Sequence, residues 1–154
     1  MNIIDKFRQS QSRLNYERVI QRGDLFDDPT FKPDIDALVN PDKRESTLTP
    51  TELERFRSYQ WCRLSDIYKG WDVQIFHGIE PQDIKQGHLG DCYFMAAIAA
   101  LAEWKHRVEN VFVTKKVNNS GCYVVKMFLM GEQIDIVVDD YIPCLRSFKS
   151  PCFT

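Results

Sequence analysis

The sequence of 154 residues lacks the marks of several protein classes. Its cysteines are odd in number, lie far apart and form no C-x-x-C pair, which argues against a disulfide framework and a zinc site. We therefore expect free thiols at all five positions, namely Cys62, Cys92, Cys122, Cys144 and Cys152. A basic excess is also missing, since 20 Lys and Arg residues oppose 22 Asp and Glu residues, so nucleic acid is not expected as a partner.

Long hydrophobic runs are absent as well. The longest apolar stretch, residues 92–102, is far shorter than the roughly 20 residues that span a bilayer. The N-terminus has no continuous apolar core followed by a small-residue cleavage site, so a secretory leader is not predicted. These absences predict a cytoplasmic protein without a membrane span.

Two parts of the chain differ in character, and we predict a boundary between residues 49 and 50. Residues 1–49 read as an N-terminal helix that ends near Gly23, followed by an irregular extended anchor segment. The apolar side chains expected to attach that segment to the core are Leu25, Phe26, Phe31 and Leu38. Residues 50–154 are predicted to form the core unit. A capping box of Thr49 and Glu52, with Pro50 at the first helical position, predicts a helix at its start.

The core unit is predicted to belong to the α+β class. "CYFMAAIAALAEW", residues 92–104, is apolar around its whole circumference, which predicts a helix buried in the core between short flanking helices. Three β-rich stretches follow, "NVFVTKKV", "CYVVKMFLM" and "EQIDIVVDD", separated by "NNSG" and by Gly131. They predict a small three-stranded antiparallel meander.

Cys92 stands directly after Asp91, where the buried helix is expected to begin. A helix N-terminus favours a thiolate, and Asp91 occupies the N-cap position from which its carboxylate can accept a backbone N–H. Gly90 leaves space beside the sulfur, while Gln86 offers a neutral amide donor of the kind an acyl-transfer site needs. The alternative is that Cys92 is a small buried hydrophobic side chain without chemistry.

The stretch "QGHLGDCYFMAAIAALAE" resembles the active-site signature of the calpains, which are papain-like, calcium-dependent cysteine proteases. "LFDDPTF", "QWCRLSDI" and "VVDDYIP" resemble three further elements of that family, so the resemblance covers roughly residues 24–143. It implies the cysteine-bearing half of a papain-like protease core. It also implies that Cys92 is the nucleophile and that Gln86 and the Cys92 backbone N–H form the oxyanion hole. Family members carry tryptophan where Tyr93 stands here.

The resemblance further implies a calcium site in the cysteine-bearing half. Asp83 matches the family's loop carboxylate, with the backbone carbonyls of Phe76 and Gly78 as companions. A later glutamate of the family's ligand set has no counterpart here, so we expect an incomplete site and weak binding. The alternative is that "GIEPQDIKQG" is a solvated acidic loop in which Asp83 caps a turn.

A catalytic base is not identified in the sequence. In calpains the histidine and the asparagine lie in a second subdomain, and none of His77, His88 and His106 has the sequence context of the family's histidine. We therefore expect an incomplete half of a cysteine endopeptidase that is inactive alone and acts on a protein substrate. The missing half would be supplied by a second chain or by a longer gene product.

Two alternatives to the protease remain open. One is a non-catalytic scaffolding component of a large, cytoskeletal assembly that is built on the calpain fold, and its partner would be another protein of that assembly. The other is a calcium-responsive regulator of a full-length relative.

Overall fold

Short helices surround two small antiparallel sheets in the computed structural model, which describes residues 3–39, 48–84, 90–147 and 150–152. The helices are α1 (Ile3–Ser12), α2 (Tyr16–Arg22), α3 (Pro50–Arg57), α4 (Leu64–Ile67), α5 (Cys92–Ala102) and α6 (Lys105–Val111), with 3-10 turns at Ile35–Ala37 and Pro81–Asp83. The strands are β1 (Gln60–Arg63), β2 (Tyr123–Leu129), β3 (Glu132–Val138), β4 (Tyr141–Leu145) and β5 (Ser150–Pro151). The α+β class predicted from the sequence is confirmed.

One sheet joins strands that are far apart in the sequence. Strand β4 lies in its centre, pairs antiparallel with β1 and also pairs with β5. Gln60 stands opposite Cys144, and Arg63 stands opposite Tyr141. This pairing brings the segment before the cysteine helix next to the segment after the hairpin.

The other sheet is the β2–β3 hairpin, which turns through Met130 and Gly131 with φ angles of 52° and 82°. The predicted three-stranded meander is wrong. Its first stretch instead completes helix α6 as far as Val111. Residues 112–114 then meet β2 through an isolated antiparallel bridge from Phe112 to Val125 and through hydrogen bonds of Val113 and Thr114 to Val124, without forming a regular strand. The β-branched residues of "NVFVTKKV" therefore do not form a regular strand, since strand propensity depends strongly on structural context.

The N-terminal helices pack on the hairpin. A small core of Phe26, Cys122, Val124 and Val137 is covered by partly buried side chains of α2, of the link before it and of the segment after α6, namely Leu14, Tyr16, Val19, Ile20 and Val113. The single helix expected up to Gly23 is two helices, but its end is confirmed: Gly23 adopts a φ of 73°, and its N–H donates to the carbonyls of Val19 and Ile20.

The anchor segment reaches the core through one of its four predicted side chains. Phe26 is buried, and its N–H donates to the carbonyl of Ser120 at 2.9 Å. Leu25 and Phe31 are 66% and 56% exposed, and Leu38 is half-buried. The neighbouring prediction at Thr49 is confirmed: its hydroxyl accepts from the Glu52 N–H at 3.3 Å, and its own N–H donates to the Glu52 carboxylate at 2.8 Å.

Helix α5 contradicts one expectation. Only Ala102 of this helix is buried, while Tyr93 is 78% exposed. Its main neighbours in the described part of the chain are the 3-10 turn Pro81–Asp83 and α6, which are too short to cover an apolar circumference. The expectation of a buried helix is therefore wrong for the described residues. None of the described helices combines the length and the apolar character needed to cross a membrane.

Candidate functional site

Cys92 is the first residue of helix α5, and its side chain is exposed. The carbonyl of Asp91 accepts from the N–H groups of Phe94 and Met95, at 2.8 and 3.1 Å, so the first helical turn begins directly behind the cysteine. The unpaired N–H groups of a first turn favour an anion next to them. The structure therefore places the candidate nucleophile at the first residue of a helix, where a second molecule can reach it.

The side chain of Asp91 does not cap this helix as expected. Its backbone has a φ of −110° and a ψ of 24°, away from the extended conformation of most N-cap residues, and the carboxylate accepts no cap hydrogen bond. The atom Oδ1 is buried and has no hydrogen-bond partner among the described residues. Asp91 contributes to the helix start through its backbone carbonyl rather than its carboxylate.

The other four cysteines are less accessible than Cys92. Cys62, Cys122 and Cys144 are buried, and Cys152 is half-buried. Burial raises the pKa of the Cys122 thiol to about 11. Burial, reinforced by the neighbouring Cys62, raises the pKa of Cys144 to about 11 as well. All five thiols are free, as the sequence predicted, and Cys92 is the one that is exposed.

Two of the residues singled out near Cys92 lie outside the described residues. Gln86, the expected oxyanion-hole donor, and His88 both fall in 85–89. His77 is exposed in the segment before the Pro81–Asp83 turn. His106 is exposed on α6, where its ring centroid lies 6.3 Å from that of Trp104. The structure thus brings neither described histidine into a hydrogen bond with Cys92.

Asp83, the expected calcium ligand, closes a tight turn. Its Oδ2 accepts from the N–H of Glu80 at 3.1 Å, across the 3-10 turn that Pro81 begins. The carboxylate is exposed, and Gly78 adopts a φ of 72° just upstream. Within the described ranges, no group of three or more His, Cys, Asp and Glu side chains gathers into a cluster that could hold a metal ion. The turn-capping alternative raised for Asp83 describes the contact that is observed.

A buried arginine forms a centre that sequence reasoning did not single out. Arg63 donates from Nη1 to Asp140 at 2.6 Å, and from Nη2 to Asp27 at 2.6 Å and to the carbonyl of Phe26 at 2.8 Å. Its guanidinium also lies 4.2 Å from the ring centroid of Tyr141. An arginine that contacts two carboxylates, a carbonyl and a ring face holds the two segments that supply them, residues 26–27 and 140–141, in one geometry with its own strand.

Gly121 is part of the same centre. Its φ is 60°, and a Cβ at this position would collide with the Asp140 side chain and lie 2.8 Å from Nη1 of Arg63. Only glycine leaves room for the ion pair here.

A second contact ties the anchor segment to the start of β4. The N–H of Asp28 donates to Oδ2 of Asp139 at 2.9 Å, and the N–H of Tyr141 donates to Oδ1 at 3.2 Å. Asp28 in turn accepts three hydrogen bonds at Oδ1 from Thr30 and Phe31, at 2.7, 2.7 and 3.1 Å. The signal in the sequence was two adjacent Asp pairs, in "LFDDPTF" and "VVDDYIP", together with the arginine of "QWCRLSDI".

The comparison with known proteins identifies the lineage of this arrangement. The sequence model described as "Calpain family cysteine protease" matches residues 26–153, which include the Cys92 helix and every segment that meets at Arg63. The chain belongs to the calpain family of cysteine proteases. The resemblance seen in the sequence is therefore confirmed.

Individual calpain relatives match most of this chain. It is 34% identical to "Calpain-type cysteine protease ADL1" of Oryza sativa subsp. japonica over 94% of its length. It is 32% identical to "Calpain-1 catalytic subunit" of Homo sapiens over 92%, and 26% identical to "Calpain-13" of Rattus norvegicus over 90%. The chain spans 7% of the rice relative, 19% of the human one and 20% of the rat one.

Proposed function

We propose that this chain supplies the nucleophile of a calpain-type cysteine endopeptidase. The observation that carries the proposal is the position of Cys92, an exposed thiol at the first residue of helix α5 in a chain of this family. Free cysteines are among the most buried residues in proteins, so exposure at a helix N-terminus sets Cys92 apart from a structural cysteine.

The proposed reaction begins with attack of the Cys92 sulfur on the carbonyl carbon of a peptide bond. The oxygen of that carbonyl becomes an oxyanion, which the Gln86 side-chain amide and the Cys92 backbone N–H would stabilise. Collapse of the tetrahedral intermediate breaks the C–N bond and leaves an acyl group on the sulfur, and water then releases the acid.

Proton transfer in this reaction is assigned to another part of the enzyme. The thiol proton must go to a base and return to the leaving amine, and an asparagine or similar group usually orients that base. We assign both groups to a second subdomain, as the family resemblance implies. Because these 154 residues would then lack the base, we propose that they do not hydrolyse peptides when isolated.

Calcium fits the described residues only in part. Asp83 offers hard carboxylate oxygens, but one of them, Oδ2, already accepts from Glu80, and carbonyls such as those of Phe76 and Gly78 add no charge. We propose at most a weak calcium site here, and no step of the proposed reaction runs through it.

Turnover of peptides by the isolated chain tests the proposal. The purified chain and its Cys92→Ser variant are incubated with a fluorogenic peptide library, with and without calcium. We expect neither to cleave, because general acid–base help is worth about 10²–10⁴-fold and protonates the leaving amine. Cleavage by the wild-type chain that is lost in Cys92→Ser would show that the base lies within these residues.

A further inference from the structure

A groove with a volume of about 620 Å³ lies between residues 64–75 and the strands β2, β3 and β4. Its size falls in the range of sites that bind drug-sized ligands or side chains, roughly 300–1,000 Å³. Most of its lining is apolar and includes Trp71, Val125 and Ile142. Helix α5 contributes nothing to this lining among the described residues, so the groove is separate from Cys92.

Aromatic side chains define the edges of the groove. Trp71 is 77% exposed at its rim. Phe112 forms part of the wall and is held by an edge-on contact with Phe76, with ring centroids 5.2 Å apart. A large exposed tryptophan beside a concave apolar surface is typical of a protein-binding site, where aromatic residues are enriched.

The charged side chains of the groove indicate which charge its ligand carries. Every charged side chain in the described lining is a carboxylate, namely Asp72, Asp139 and Asp140. Arg63 neutralises Asp140 at 2.6 Å, but Asp139 forms no ion pair with any described residue and accepts only from two backbone N–H groups. Burial raises the pKa of Asp139, which is the expected effect on a carboxylate partly removed from water.

We propose that this groove binds a segment of a separate protein partner that carries large apolar side chains together with lysine or arginine. The apolar side chains pack against Trp71 and Val125, and the cationic group lies beside Asp139 and the exposed Asp72. An anionic lipid surface is disfavoured by the same carboxylates. A bare metal ion is disfavoured because the described residues gather no cluster of three ligating side chains.

Calorimetry with two short peptides tests the proposal. The probes are acetyl-Leu-Lys-Phe-Lys-Leu-amide and its acidic counterpart with glutamate in place of lysine. The 154-residue chain carries Cys92→Ser, so that no probe is consumed and the result is independent of the protease assignment. We expect the basic probe to bind at least about tenfold more tightly than the acidic one at low salt, with the difference shrinking as salt rises.

Three variants locate the binding. Asp72→Asn and Trp71→Ala change exposed side chains and should each weaken the basic probe about threefold or more, whereas Glu54→Gln on α3 is the matched control and should leave it unchanged. The proposal would be overturned by equal affinity for both probes or by no binding of the basic probe. It would also be overturned if neither Asp72→Asn nor Trp71→Ala changed the affinity for the basic probe. Concentration-dependent self-association abolished by Trp71→Ala would overturn it as well, because the occupant would then be a second copy of this chain.

Discussion

At the scale of single residues, Cys92 differs from the other cysteines in its access to solvent. We expect iodoacetamide to label Cys92 first and Cys152 next in the folded chain at pH 7. Cys122 and Cys144 should stay unlabelled, because they are buried and, with a pKa of about 11, only about one thiol in 10⁴ is ionised at pH 7. Mass spectrometry of the digested protein gives the order.

The pH dependence of this labelling is a further check. Since burial raises the pKa of Cys122 and Cys144, their labelling should increase only as the pH rises towards about 11, or when denaturant exposes them. Faster labelling of Cys62 or Cys122 than of Cys92 at pH 6 would contradict the assignment of the nucleophile.

Arg63 is the residue on which the assembly of the three family segments depends. Arg63→Ala leaves Asp140 buried without its cation, and loss of one partner of a buried pair typically costs about 3–5 kcal/mol of unfolding free energy. Arg8→Ala is the matched control, because Arg8 pairs with Glu132 at 2.9 Å on the exposed surface. It should cost less than about 1 kcal/mol.

Urea unfolding followed by circular dichroism compares the two arginine variants. Equal losses for Arg63→Ala and Arg8→Ala would mean that the buried centre contributes little to stability. Sequence reasoning found the segments that carry this centre but not the centre itself. An arginine in "QWCRLSDI" shows neither its burial nor its partners, which lie 36 and 77 positions away.

At the scale of elements, the start of helix α3 is fixed by Thr49. Thr49→Ala removes the hydroxyl that accepts from Glu52 and should lower the free energy of unfolding by about 1 kcal/mol. Thr51→Ala, at the second residue of the same helix, is the control. It should be neutral or slightly stabilising, since alanine has a higher helix propensity than threonine. A loss at Thr51 as large as that at Thr49 would contradict the capping role.

The Pro81–Asp83 turn is the element on which any calcium binding would depend. We expect isothermal titration to give weak binding, because one carboxylate plus carbonyls supplies little negative charge. Asp83→Asn should abolish that binding, and Asp34→Asn, at the other 3-10 turn, serves as the control. Sub-micromolar affinity would mean that a second carboxylate joins the site.

Helix ends were predictable from the sequence because their chemistry is local. Thr49 and Glu52 are three residues apart, and Gly23 ends its helix through bonds to Val19 and Ile20. The exposure of α5 and the absence of a regular strand in residues 110–117 were not predictable, because each depends on what packs against the segment. The pairing of β1 with β4 was not predictable either, because no local sequence pattern indicates which distant strand a strand pairs with.

At the scale of the whole molecule, the chain spans 7% to 20% of three matched relatives, which allows a complementation experiment. If a chain carrying the second subdomain is added, we expect peptide cleavage that Cys92→Ser abolishes. Thr51→Ala is the matched control for this readout and should remain active. If the mixture cleaves no peptide, while the Cys92→Ser variant folds and binds its protein partner, a scaffolding role would be favoured. Inhibition of a full-length relative would favour a regulator.

The pairing of β1 with β4 also determines when this sheet can form during synthesis on the ribosome. Gln60 and Cys144 meet across more than 80 positions, and ribosomes add about 5–20 residues per second. Strand β1 therefore waits roughly 4–17 s for its neighbour. During that interval the nascent chain carries Arg63 without Asp140, and helix α5 and the hairpin emerge before the sheet can close. Closing so long a loop is slow, so this sheet is among the last parts of the described structure to form.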